Sequence, residues 1–297
     1  MKSGFIAILG QPNVGKSTFV NTLLSKRVSI VSPKPQTTRD NIDAIYQGQD
    51  LQLVFIDTPG LFESEETLDQ FMNKEARSSL SGADAVCFIV SAENQNTEKD
   101  DAILKKLKFD CPLFIVINKI DLARAPEMEA LLKHYISTYP NARILQMSAL
   151  TGFGIKDVRD AISEVMPEGP QYFEEGVFTD KDKRFMAKEM IRNELLHFLK
   201  DEIPHQSAVT IDSFKETKDM VKIKATIYVE KDGQVAIVIG KGGEMIKKIS
   251  MAARRNLQKD WKKYVDMRLE VAQSANWRNR PDKLAAFGYS NNSDEGE

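Results

Sequence analysis

Apolar and polar positions along this chain fall into blocks whose period switches between that of a strand and that of a helix. Phe5-Ile6-Ala7-Ile8-Leu9 is an apolar run of strand length, and Thr18-Phe19-Val20-Asn21-Thr22-Leu23-Leu24 has helical spacing. Ser25 to Asp40 holds two prolines and few apolar residues, and reads as a loop. Asn41 to Gln47 and Leu51 to Ile56 flank Gly48-Gln49-Asp50, the pattern of two strands on a short polar turn. Ser64 to Ser81 predicts a helix of mixed polarity, and Asp84 to Val90 an apolar strand. Thr97 to Lys108 predicts a helix with Ile103, Leu104 and Leu107 on one stripe. Leu113 to Ile117 and Arg143 to Met147 are further strands, and Ile155 to Met166 is a helix ended by Pro167. Such alternation predicts an α/β domain: a mostly parallel sheet covered on both faces, with ligands at the strand carboxyl ends.

Pro167-Glu168-Gly169-Pro170-Gln171 marks a boundary, after which the pattern changes. Arg184 to Leu199 is helical and Ala208 to Phe214 strand-like. Val221, Ile223, Ala225, Ile227 and Val229 then alternate with Lys222, Lys224, Thr226, Tyr228 and Glu230, which is period two over a full strand. Gln234 to Ile239 is dominated by β-branched residues, so propensity alone makes it a strand. From Glu244 to about Lys263 a helix carries Ile246, Ile249, Ala253, Leu257 and Trp261 on one face. Lys247, Lys248, Arg254, Arg255, Lys259, Lys262 and Lys263 occupy the other. Val265 to Val271 is a last strand, and Asn291 to Glu297 a polar, acidic tail expected to be disordered. The expected organisation is a first domain over 1–167, a connector over 168–183, an α+β domain over 184–275 and a tail over 276–297.

With 297 residues there is room for two cores, and a formal net charge of −2 excludes a molecule that binds nucleic acid through its overall field. Any such binding needs a local patch, and the cationic helix face is the candidate. The two cysteines, Cys87 and Cys111, lie in or beside apolar runs without C-x-x-C spacing, and read as small buried thiols of a reducing compartment. Met1-Lys2-Ser3-Gly4 leads straight into the first strand, and no apolar run approaches a membrane span, so a cytoplasmic protein is expected.

The chemistry starts at Gly10-Gln11-Pro12-Asn13-Val14-Gly15-Lys16-Ser17, running on into Thr18. Strand, glycine loop and helix with G-x-x-x-x-G-K-S/T spacing make a phosphate-binding loop. Backbone N–H groups and the helix N-terminus face an anion, Lys16 supplies charge to the β- and γ-phosphates, and Ser17 offers a hydroxyl to Mg²⁺. In Ser32 to Asp40, Thr38 is the candidate for Mg²⁺ and the γ-phosphate, with Thr37 as the alternative. Asp57-Thr58-Pro59-Gly60 closes a strand: Asp57 can hold Mg²⁺ through its water shell, and Gly60 can present a backbone N–H to the γ-phosphate. Leu61 stands where many such GTPases have a water-orienting glutamine, and slow intrinsic hydrolysis is expected. Asn118-Lys119-Ile120-Asp121 selects the base, because the Asp121 carboxylate can accept guanine N1–H and N2–H together while adenine offers neither. Asn118 can tie this turn to the phosphate loop, the Lys119 stem can lie along the purine, and in Ser148-Ala149 the Ala149 N–H can donate to guanine O6. Gly240-Lys241-Gly242-Gly243 forms a second glycine loop, one whose backbone can approach phosphates next to the cationic face that starts with Lys247 and Lys248. Trp277, Arg278 and Arg280 either grip RNA or pack.

In these residues the chain resembles the Era-type GTPases, P-loop NTPases in which a Ras-like G domain precedes a type II KH domain. The resemblance spans nearly the whole chain, and Thr37-Thr38-Arg39 and the apolar Leu61 are marks of that branch. It implies that Gly240 to Gly243 is the GXXG loop that clamps a single-stranded backbone, and that Gln234 to Ile239 is a short helix. It also implies GTP and GDP as nucleotides with Mg²⁺, the 3′ region of small-subunit (16S) ribosomal RNA and the 30S subunit as partners, and peripheral contact with the inner membrane. A monomer is expected. Lys16, Thr38 and Gly60 are then the residues closest to catalysis. Two other readings stay open: an RNA-binding protein with GTP as a structural ligand, and a membrane-associated GTPase whose second domain binds protein.

Overall fold

The central strand of the first sheet, β1 (Lys2–Leu9), has no charged residue after Lys2 and is buried over most of its length. In the computed structural model, which describes residues 1–61, 66–93 and 97–289, it leads into α1 (Lys16–Leu24). β2 (Ile42–Gly48), β3 (Leu51–Asp57), α2 (Thr67–Ser78), β4 (Ala85–Ser91), α3 (Glu98–Lys106), β5 (Leu113–Asn118), α4 (Ala125–Thr138), β6 (Arg143–Gln146) and α5 (Ile155–Val165) follow. The strands lie in the order β2-β3-β1-β4-β5-β6. Only β2 is antiparallel, to β3; the other pairs are parallel. Alternate residues of each strand serve opposite faces. Ile6, Ile8, Phe55 and Cys87 pack with Phe19 of α1 and Val158 of α5, while Leu9, Val86, Phe88 and Ile115 pack with Leu104 of α3 and Leu131 of α4.

Helix α4 is not among the elements expected from the sequence. Its signals are there: Pro126 in the first turn, Glu127 bonded back to the Arg124 N–H at 2.8 Å, and Met128, Leu131, Leu132 and Tyr135 at helical spacing. The connector residues are also more engaged than their composition suggests. Gln52 accepts from the N–H groups of Tyr172 (2.8 Å) and Phe173 (3.0 Å), and Ile45 N–H donates to Phe178 O at 3.0 Å. The described residues fall into two compact units, one from Met1–Glu63 and Met72–Asp180, the other from Ser64–Phe71 and Lys181–Glu297.

The second unit contains α6 (Lys183–Phe198), β7 (Ala208–Glu216), β8 (Met220–Val229), α7 (Asp232–Ile239), α8 (Glu244–Trp261), β9 (Tyr264–Gln273) and α9 (Pro281–Ala286). The Asp182 side chain caps α6, accepting from Phe185 N–H at 2.7 Å. β8 sits between β7, antiparallel, and β9, parallel, and its five alternating apolar residues are all buried against α6 and α8. Gln234 to Ile239 lies in α7, so β-propensity loses there to the packing of Val238 into the same core.

Trp277 cannot stack on RNA. It is fully buried, donates its indole N–H to Gln206 O at 2.9 Å and packs against Phe287 and Tyr289. Arg278 is bonded to Glu230 at 3.2 Å and Arg280 to Asp282 at 2.7 Å, so packing and pairing account for this trio. Cys87 is buried and its thiol is pushed up to about 12, whereas Cys111 is only half-buried; both are free. No helix among the described residues is long and apolar enough to cross a membrane. The acidic tail from Asn291, and the start of the helix expected from Ser64, lie outside the described residues.

Candidate functional site

Parallel strands bring their carboxyl ends to one edge, and the motifs sit there. The phosphate loop leaves β1, Asp57 ends β3, Asn118 ends β5 and Ser148 lies just beyond β6. Gly15 has φ 99°, and a Cβ on it would stand 2.3 Å from the Asn118 amide nitrogen, so no other residue fits. Lys16 opens α1 and is buried. Its Nζ donates to Gly10 O (3.2 Å) and Gln11 O (3.0 Å), and burial pushes its ammonium down to about 8 against the opposing pull of Asp57. A cavity of about 520 Å³ opens over these residues, lined by Asn13, Gly15, Lys16, Ser17 and Thr18 and by Thr38, Gly60 and Lys119. That is the size of a small-ligand site.

Ser17 Oγ donates to Asp57 Oδ2 at 2.7 Å and lies 3.0 Å from Thr38 Oγ1. Asp57 is fully buried and its Oδ1 has no hydrogen-bond partner. Burial raises its pKa, while the Ser17 hydroxyl, the Lys16 charge and the nearby Ser29 hydroxyl oppose the shift. A desolvated carboxylate with an orphaned oxygen beside two hydroxyls is an oxygen donor set suited to a hard divalent cation. Of the two threonines weighed, Thr38 is the one aimed here; Thr37 donates its hydroxyl to Lys34 O at 2.6 Å.

Thr58 Oγ1 donates to Ile8 O at 2.6 Å, which pins the turn after β3 to β1. A Cβ on Gly60 would come within 2.7 Å of the Pro12 backbone, so the two loops meet only because this residue is glycine. Leu61 N–H donates to Gly10 O at 3.1 Å. Its side chain is buried with Val86 and Phe88 and does not line the cavity over Lys16.

At the end of β5, Asn118 does two jobs. Its amide donates to Val14 O at 2.7 Å and its oxygen accepts from Ala149 N–H at 2.9 Å. The Ala149 N–H, expected to serve guanine O6, here donates to Asn118, and Ala149 is buried. Thr22 adds a bond from its hydroxyl to Ala149 O at 2.7 Å. Lys119 sits at φ 62° with its ammonium on Glu93 at 2.8 Å, which aligns its stem over the cavity. Asp121 lies exposed in the turn Ile120–Leu122.

One feature has no sequence signature. Gln11 of the phosphate loop donates to Asp100 Oδ1 at 2.8 Å, and Tyr135 OH donates to Asp100 Oδ2 at 3.1 Å. The partners are 89 and 35 residues apart, so no spacing rule finds them.

In the second unit, the glycine loop joins α7 to α8. Gly240 and Gly242 lie at positive φ, and Lys241, Gly242, Lys247 and Lys248 are exposed. No atom lies within 4 Å of where a Gly242 Cβ would stand, which leaves the backbone open to an approaching chain.

Residues 5–119 match the family described as 50S ribosome-binding GTPase, and residues 202–277 match the KH domain. GTPase Era of Lactobacillus helveticus is 41% identical over 291 residues, 97% of this chain and 96% of that protein. GTPase Era of Clostridium acetobutylicum is 40% identical over 97% of this chain and 98% of its own length. The chain belongs to the Era family of GTPases. A solved structure of Era with MgGDPNP and nucleotides 1506–1542 of 16S ribosomal RNA matches 98% of this chain and 100% of its own, at 34% identity and a TM-score of 0.93. A single-residue variant of Aquifex aeolicus Era bound to GDP.AlF4⁻ matches equally, with TM-score 0.93 and 34% identity over 98% of this chain and 100% of its own. Membership makes this chain a GTPase, with GTP and water converted to GDP and phosphate. Within the Era family frame, the burial of Leu61 has a chemical consequence. An alkyl side chain held in the core offers no hydrogen bond to a water at the cavity.

Proposed function

We propose that this GTPase binds the 3′ region of small-subunit (16S) ribosomal RNA and acts in assembly of the 30S subunit, with the nucleotide state governing the RNA clamp. The observation that carries the RNA target is the glycine loop, with Lys241 and Gly242 exposed, beside cationic α8, in a chain whose fold matches Era solved with 16S nucleotides 1506–1542. In this reading Gly240, Lys241, Gly242 and Gly243 clamp the RNA backbone, and Lys247 and Lys248 neutralise phosphates.

At the nucleotide, Gly10, Asn13, Val14, Gly15 and Thr18 surround the phosphates with N–H groups, and Lys16 leaves its carbonyl partners to meet β- and γ-oxygens. Asn118, Lys119 and Asp121 take the base, with Ser148 and Ala149 as their support. Gly60, between Pro59 and Leu61, offers its N–H to the γ-phosphate. Ser17, Thr38 and, through water, Asp57 would hold Mg²⁺, which when bound neutralises charge developing on the phosphate oxygens. The attacking water then depends on backbone groups or on a residue from a partner. The reading extends to a first domain ending at 167, a second over 184–275, a monomeric chain, and a cytoplasmic site with peripheral inner-membrane contact.

The test is binding of single-stranded RNA from the 16S 3′ end to the full chain with GDPNP and with GDP. Tighter binding with GDPNP is expected. Equal binding would leave two independent modules and remove the coupling. Absence of binding in both states would overturn the RNA reading. Purified 30S and 50S subunits as competitors check the subunit; competition by 50S alone would reassign it.

A further inference from the structure

A second cavity, of about 500 Å³, lies between α2 and α3 and shares only Pro12 with the nucleotide cavity. Pro12, Leu61 and Ile103 give it an apolar floor, and Arg77, Lys99 and Lys106 stand at its edge with exposed side chains. Lys99, Ala102, Ile103 and Lys106 are spaced i, i+3, i+4 and i+7, so one stripe of α3 faces the space. Among the described residues, no carboxylate lines it.

We propose that this cavity binds a small amphipathic anion: an apolar, ring-sized body carrying one carboxylate or sulfonate group. Its volume is that of a drug-sized ligand site. The apolar floor removes the body of such a ligand from water, and Arg77 and Lys99 at the mouth favour a negative group over a neutral or positive one. A purely polar anion would leave the floor uncovered, and a neutral hydrocarbon would gain nothing from the edge. An occupant would rest on Pro12 and Leu61, the residues at which the phosphate loop and the turn after β3 meet.

The probe is 8-anilinonaphthalene-1-sulfonate, titrated by fluorescence into the full chain with its nucleotide site saturated by GDP. One saturable site is expected, weakened by added salt. Ala102 and Lys99 are exposed on α3, so Ala102→Trp, which fills the cavity, and Lys99→Glu, which reverses an edge charge, should fold normally. Each should weaken the dye about tenfold or more. The uncharged analogue N-phenyl-1-naphthylamine should bind wild type more weakly than the sulfonate. Unchanged affinity in both variants would overturn the site, since the dye would then be on some other apolar surface. Equal affinity of charged and uncharged dyes would overturn the anion assignment.

Discussion

Asp121 is the exposed carboxylate to which the proposed function assigns the choice of base. Its position in a short turn after β5 is fixed by neighbours: Asn118 bonded to Val14 and Ala149, and Lys119 bonded to Glu93. In the proposed reading guanine supplies two donors to this carboxylate. Asp121→Asn should turn preference from GTP toward xanthosine triphosphate, whose 2-oxo group accepts from the amide. A site built on a hydrogen bond rejects a ligand lacking it by roughly 10⁴-fold, so competition binding of the two nucleotides gives a clear answer. Retained selectivity for GTP would remove Asp121 from base recognition. This site is legible in the sequence because its residues are local and each motif ends a strand. What the motifs do not supply is who uses each donor: Ala149 N–H goes to Asn118, and only the folded neighbourhood reveals it.

Helix α3 contributes to the site from behind. Asp100 is almost fully buried and receives bonds from Gln11 of the phosphate loop and from Tyr135 of α4. Burial raises its pKa, Asp101 adds to the rise, and both hydrogen bonds and His134 oppose it. The folded state therefore holds the Asp100 proton more tightly than the unfolded chain does. Its contribution to stability is fully present below the ordinary carboxylate range, and is lost as pH rises through the raised value. Asp100→Asn should flatten this fall in a series of thermal unfolding curves across pH, and parallel curves for variant and wild type would refute it. Elements themselves are readable from periodicity wherever one face is buried, as in β8 with its five buried alternate residues. The departures have separate physical causes. In α7, β-branched composition favours a strand, but the segment is held as a helix between Lys231 and Gly240 by burial of Gln234 and Val238. In α4 the helical spacing is present but unbroken from its loop by any glycine, and Trp277 carries no local sign of whether its ring packs inward or faces RNA.

At the scale of the molecule, a formal net charge of −2 means that RNA affinity has to come from a local field. The second unit concentrates one. Lys241, Lys247, Lys248, Arg255 and Lys259 are exposed on the glycine loop and α8, whereas Lys263 is drawn off by Glu216 at 2.5 Å. If Lys241, Lys247 and Lys248 each meet one phosphate, the logarithm of affinity should fall against the logarithm of salt with a slope of about −2, from roughly −0.7 per contact on a single strand. Lys247→Ala should reduce that slope by about one contact's share and weaken binding evenly across RNA sequences, because a phosphate carries no sequence information. Gly242→Asp should act differently. It puts a side chain and a negative charge where the open backbone would meet the strand, so binding should collapse at every salt concentration while GTP hydrolysis without RNA stays unchanged. A flat salt response in wild type would take the cationic face out of the mechanism and leave the loop alone to hold the RNA. A steep response that Gly242→Asp leaves intact would reverse the assignment, making α8 the binding surface and the loop a bystander.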